Sequence, residues 1–197
     1  MSEKKEKIQI VAFSTKEKNP TPIDIFEAFL EKYTHSMQKK SSRAMAFSMT
    51  LTGEEKPKNI MICSIIDLTV EYTGITEVNC YILFIDLENE DSNEKLESIE
   101  SYIQQYCQLD KKLFIFGMVS GSEGKEKYLT REDILKSLDI EDNNFEYKEI
   151  NLSQLKEYSN DFMDILIYSS KHPINENSKR NTYHDKGGDE AKSCEIY

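Results

Sequence analysis

The feature that most constrains this chain is an alternation of short apolar runs with amphipathic stretches of helical period. Ile8–Phe13 (IQIVAF), Asn59–Ile66 (NIMICSII), Cys80–Leu87 (CYILFIDL) and Leu113–Phe116 (LFIF) are nearly all apolar, as strands buried on both faces are. Ser42–Leu51 alternates instead, with Met45, Phe47, Met49 and Leu51 on one face and Ala44, Ala46, Ser48 and Thr50 on the other. Phe145–Ile150 is a further candidate strand. Helical signals lie between these runs. Thr21 is placed to cap a helix, with Pro22 at its first position and Asp24 three residues after the cap. Its apolar stripe is Phe26, Phe29, Leu30, Tyr33 and Met37, which also puts His35 on a helix. Asp91 and Glu94 read as a capping box ahead of Leu96, Ile99, Ile103 and Tyr106. Thr130 and Asp133 open a short helix through Leu138, and Phe162, Met163, Leu166 and Ile167 mark a last one.

The order is strand, helix, a two-stranded hairpin turning through TGEEKP, then three strand–helix units. It predicts an α/β domain with a mostly parallel six-stranded sheet, one antiparallel edge strand and helices on both faces. Residues 1–7 read as a charged extension, 8–171 as one domain, and 172–197 as a flexible tail without apolar periodicity.

The balance of charge narrows the partners. Lys and Arg number 25 against 36 Asp and Glu, a net charge of −11 that repels phosphate backbones and argues against nucleic acid. No apolar run approaches the roughly 18 residues of a membrane span, and Met1–Lys7 lacks a secretory core, so the expectation is a cytoplasmic protein. Cys63, Cys80, Cys107 and Cys194 form no CxxC pair, and the three histidines show no metal-ligand spacing. Neither G-x-S-x-G nor H-E-x-x-H occurs, so no enzyme site is read.

The element order resembles that of the Ras-like small GTPases, most closely the Rab branch. Tyr81–Gln105 (YILFIDLENEDSNEKLESIESYIQQ) resembles that family's fourth strand and third helix. Lys111–Gly121 (KKLFIFGMVSG) resembles the fifth strand running into the guanine-recognition loop, and Lys127–Ile134 (KYLTREDI) the start of the fourth helix. The resemblance implies a P-loop NTPase fold of the Ras-like G-domain type. It also lets the nucleotide motifs be checked by position. The phosphate loop G-x-x-x-x-G-K-[ST] falls on Ser14, Asn19, Pro20 and Thr21. Only the hydroxyl survives; Pro20 removes both the cation and a backbone donor. Gly53 is the first glycine in the chain, so the whole first strand–loop–helix unit lacks one. D-x-x-G falls at Asp67–Val70, N-K-x-D at Met118–Gly121 and S-A-K at Asn151–Ser153; none is intact.

The resemblance therefore implies a degenerate member, a pseudo-GTPase without cofactor, binding a protein partner through switch-like segments around Lys39–Arg43 and Leu68–Thr76. Lys16, Glu17 and Lys18 are the residues expected to fill the vacated site. The alternative is an atypical GTPase that still holds GTP or GDP with Mg²⁺ through Lys18, Thr21 and Asp67, and regulates membrane traffic or signalling. A flavodoxin-like or receiver-type domain stays open as a third reading, although a receiver needs paired acids where Lys16-Glu17-Lys18 stands. Cys194 lies fourth from the end, as in prenylated family members, while Glu195 and Tyr197 depart from that pattern. From Lys171 onward five cations face five acids, so the implied attachment to a membrane is weak and peripheral.

Overall fold

The computed structural model describes residues 7–16, 19–69, 72–73, 77–108, 110–122, 124–138, 144–174 and 192–193. In chain order the elements are β1 (Lys7–Ser14), α1 (Pro22–Leu30), β2 (His35–Lys40), β3 (Ala44–Met49), β4 (Lys58–Ser64), β5 (Tyr72–Thr73) and β6 (Cys80–Asp86). There follow α2 (Ser92–Tyr106), β7 (Leu113–Val119), α3 (Arg131–Leu138), β8 (Phe145–Asn151), a 3-10 segment (Leu152–Tyr158), α4 (Ser159–Lys171) and β9 (Lys192–Ser193). Seven strands form one sheet in the order β2-β3-β4-β1-β6-β7-β8, and β5 pairs with β9 apart from it. From β4 across to β8 every pairing is parallel, while β2 and β3 form an antiparallel hairpin at one edge.

The apolar runs fold as their pattern requires. Along β1, Ile8, Ile10 and Ala12 enter one core, and Val11 and Phe13 enter the other. The first core lies under α1 and α4 and is rich in rings. Phe26 sits 5.1 Å from Phe162 and 5.4 Å from Phe84, which in turn stacks 5.4 Å from Phe116. The second core lies under α2 and α3, around Leu96, Ile99, Tyr102, Ile134 and Leu138.

Two expectations are corrected. The sheet has seven strands and not six, because α1 stops at Leu30 and His35–Lys40 is strand β2. Phe26, Phe29 and Leu30 already complete the buried stripe of α1. The residues after them gain more from the backbone ladder of β3, where Met37 lies opposite Phe47 and His35 meets the Phe47 ring edge-on. The second correction concerns α2. Asp91 makes no side-chain cap, and the turn is built instead by Asn89, whose side-chain oxygen accepts the Asp91 N–H at 3.1 Å. The capping boxes at Thr21/Asp24 and Thr130/Asp133 are both present.

At the amino end of the sheet one polar side chain ties three elements together. Asn79, 2% exposed, accepts the Gln9 N–H at 2.7 Å and donates to the carbonyls of Ser169 and His172, both at 3.0 Å. It joins β1 to the end of α4 just before β6 begins. Asn79→Ala removes the side-chain partner of three backbone groups, two of them in buried bonds. Loss of stability by about 1–3 kcal/mol is expected, a fall of several degrees in melting temperature at unchanged secondary structure.

Two of the thiols are placed out of reach of solvent. Cys63 and Cys80 are buried. Burial pushes the Cys80 thiol up to about 12, against the smaller opposing pulls of the Ser169 hydroxyl and Lys112. Burial likewise pushes Cys107 up to about 12, against a hydrogen bond with Tyr81. Because the thiolate is the reactive form and Cys63 and Cys80 are buried, a Cys107→Ser, Cys194→Ser variant should react with an aromatic disulfide reagent at pH 8 only as fast as it unfolds. A thiol that titrates at once would contradict this placement.

Candidate functional site

In an open α/β sheet, ligands bind outside the carboxyl ends of the strands where the winding reverses. Here the reversal lies between β1 and β6. The chain leaves β1 through α1 toward β4, and leaves β6 through α2 toward β7, so the two helices cover opposite faces. Ser14–Lys16 and Asp86–Glu88 rim this crevice, and the start of α1 stands beside it.

The rim is closed upon itself. The Thr15 hydroxyl is fully buried; it accepts the Asp86 N–H at 2.9 Å and lies 3.2 Å from the Ser92 hydroxyl at the start of α2. The Thr15 N–H donates to the Phe84 carbonyl at 3.0 Å, carrying the β1–β6 ladder to its last rung. Lys16 pairs with Asp86 at 3.2 Å across the crevice, and the other Asp86 oxygen accepts the Glu88 N–H. Glu88 reaches onward to β7, where its carboxylate accepts the Ser120 N–H at 3.0 Å with Lys125 at 3.5 Å. Burial alone raises the Glu88 carboxyl, but the Ser120 bonds and the Lys125 charge outweigh it and hold the group below the usual carboxylate range.

The start of α1 is likewise satisfied from within. Asp24 accepts from both the N–H and the hydroxyl of Thr21, at 2.9 and 2.7 Å, and the Asp24 N–H donates back to the Thr21 oxygen. Pro20 and Pro22 carry no N–H at all. The donors that a helix start offers an anion are therefore largely removed or bonded, and a carboxylate already takes the place that favours negative charge.

The expected site residues separate accordingly. Thr21 is bound within its capping box. Asp67 accepts from the Thr69 N–H at 3.0 Å and from its hydroxyl at 2.6 Å, forming a turn of its own. Lys18, Glu17 and Cys194 lie outside the described residues, and Lys192–Ser193, just before Cys194, pair with Tyr72–Thr73. Lys16 does reach into the crevice. Among the described residues, no group of three or more His, Cys, Asp or Glu is arranged to hold a metal. After β7, Gly121 turns with φ +79°, packed so closely on Asn151 that a Cβ would sit 2.4 Å from its side-chain oxygen. No helix among the described residues is long and apolar enough to cross a membrane.

A cleft of about 280 Å³ lies elsewhere, between β8 and α4, over Phe114, Phe116, Ile165 and Tyr168. Lys148–Asp161 and Lys112–Glu146 ion pairs bridge its rim. Compared with known proteins, the chain matches no family model and no curated sequence at significance.

Sequence reading missed the bonds Thr15–Ser92, Lys16–Asp86 and Glu88–Ser120. The readable traces were a carboxylate at the end of the most apolar strand and a threonine directly after β1.

The lowered Glu88 carboxyl fixes the sign of a pH effect. Its contribution is complete above the ordinary glutamate range near pH 4.3 and is lost as pH falls through the depressed native value. Glu88→Gln should cost about 1 kcal/mol at pH 7. The gap between the two proteins should close as both are acid-unfolded from pH 5 downward; a gap independent of pH would contradict the pairing with Ser120 and Lys125.

Proposed function

We propose that this chain is a Ras-like pseudo-GTPase: a protein-interaction subunit that binds no nucleotide and catalyses no hydrolysis. One observation carries the reading. At the place where a triphosphate would be cradled, α1 begins with a completed Thr21–Asp24 capping box whose threonine stands between two prolines. Close by, Lys16 is paired to Asp86. A phosphate brought there meets two carboxylates and few donors, and Lys16, which could neutralise it, is already paired. Binding would require breaking the capping box, a loss of about 1 kcal/mol before any repulsion is counted.

The element order supports the family side of the reading, with a hairpin between the first helix and the next parallel strand. Strand β2 is an addition to the hairpin that the resemblance implies. The partner surface that goes with this reading includes the β2–β3 turn, which holds Lys39–Arg43. It also includes the connection beyond β4, to which Leu68 and Thr69 belong.

Two measurements on the full chain test the proposal together. Protein purified without added nucleotide should release none on denaturation, by absorbance and chromatography. Its melting temperature should be unmoved by GTP or GDP with Mg²⁺. A ligand present at about 100 times its Kd stabilises by about 2.7 kcal/mol, so a bound nucleotide would show as a rise of several degrees. Such a rise would sink the proposal in favour of an atypical GTPase.

A further inference from the structure

The cleft between β8 and α4 lies apart from the crevice and has a chemistry of its own. Its volume of about 280 Å³ suits a short aliphatic chain and falls below the ~300–1,000 Å³ of pockets that take drug-sized ligands. Phe114, Phe116, Ile165 and Tyr168 give it an apolar lining. Asp161, Asp164, Ile165 and Tyr168 stand three and four residues apart along α4 and so share one face. The charges that line it are three carboxylates, Glu146, Asp161 and Asp164, against one lysine, Lys148. Ammonium groups already hold two of the three. Lys148 pairs with Asp161 and stands 5.5 Å from the Tyr158 ring centroid. Lys112 pairs with Glu146 and stands 5.2 Å from the Phe114 centroid and 5.0 Å from that of Tyr168. Each ammonium is thus held by a carboxylate and an aromatic face together. Asp164, which is exposed, has no such cation among the described residues. The Tyr33 hydroxyl registers the charge left over: its own burial raises it first, and Asp164 and then Asp161 raise it further.

We propose that this cleft is a binding site for an organic cation, a primary ammonium on an aliphatic stem, with the ammonium on Asp164 and the stem along Ile165 and Tyr168. A free alkylamine and the lysine side chain of another protein share that chemistry. The site stands whether or not the crevice takes a nucleotide.

The lining selects this ligand over others. An anion would meet three carboxylates, on a chain of net −11. A metal ion needs several oxygens at once, and among the described residues no group of three or more His, Cys, Asp or Glu is arranged to supply them. A neutral apolar ligand would cover Asp164 without pairing it, which costs the carboxylate its water. An ammonium on an apolar stem offsets that cost at the charged end and buries surface at the other.

The test is a nitrogen-15 NMR titration of the full chain with pentylamine and, separately, with N-acetyl-lysine amide, which carries one ammonium on a peptide unit. Shifts should concentrate on residues 146–148 and 161–168 and weaken as salt is raised. Binding of pentylamine alone identifies a free amine as the ligand, and binding of both identifies a lysine side chain. Asp164→Asn should weaken binding about fivefold at an unchanged melting temperature, the ratio that an ion pair of about 1 kcal/mol gives. Lys148→Gln frees Asp161 and should tighten binding by a similar factor, a gain that damage to the fold does not produce. The proposal is overturned if residues 161–168 do not respond, if 1-pentanol shifts them equally, or if Asp164→Asn binds as well. Shifts spread over the exposed acids of α2, around Glu94 and Glu97, would mean unspecific attraction to an acidic chain and would overturn it too. So would movement of the same resonances in Lys179→Ala, Arg180→Ala without added amine, which would assign the cleft to the chain's own tail.

Discussion

The burial of β1 on both faces is the constraint on which the rest of the structure depends. A strand with Ile8, Ile10 and Ala12 on one side and Val11 and Phe13 on the other has no solvent face to give up. It needs parallel neighbours on both edges, supplied by β4 and β6, and a helical layer above and below. Once β1 is central, α1 must lie on one face and α2 on the other, and the crevice between their origins follows as geometry. Asn79 completes the arrangement at the opposite end by tying β1 to the end of α4.

That geometry would ordinarily produce a ligand site, because it leaves backbone groups at the strand ends and helix starts without partners. Here those groups find partners within the chain. Thr15, Lys16, Asp86 and Glu88 form a continuous set of bonds from β1 through β6 to β7. The set has the character of a structural seam: opposite charges paired, a hydroxyl buried with its bonds made, and, among the described residues, no buried side-chain nitrogen or oxygen left without a hydrogen bond.

Much of the framework was legible in sequence, and the limits have physical causes. β1, β4, β6 and β7 could be read because strands buried on both faces leave nearly unbroken apolar runs. The start of α1 could be read because Thr21, Pro22 and Asp24 are local signals. Its end could not. Tyr33 and Met37 continue the helical spacing, and only the pairing of β2 with β3 across a short turn outweighs it. The Asp91 cap failed for a more local reason, since Asn89 captured the turn first. Of the crevice, the sequence showed the absence of glycine before Gly53 and little else. The bonds that close it join residues such as Thr15 and Ser92, 77 positions apart, and no spacing rule reports such a pair. Asn79 left one trace, a lone amide between Val78 and Cys80 in an otherwise apolar setting.

The self-capped start of α1 has a consequence for timing. A phosphate loop that depends on its nucleotide has two shapes, and the interval between them is a clock. A helix whose first turn is completed by its own aspartate has nothing to wait for and nothing to release. If the chain is the interaction module proposed above, a partner reads its presence and not its state. Control over such a contact then lies in how much of the protein is made and how long it lasts.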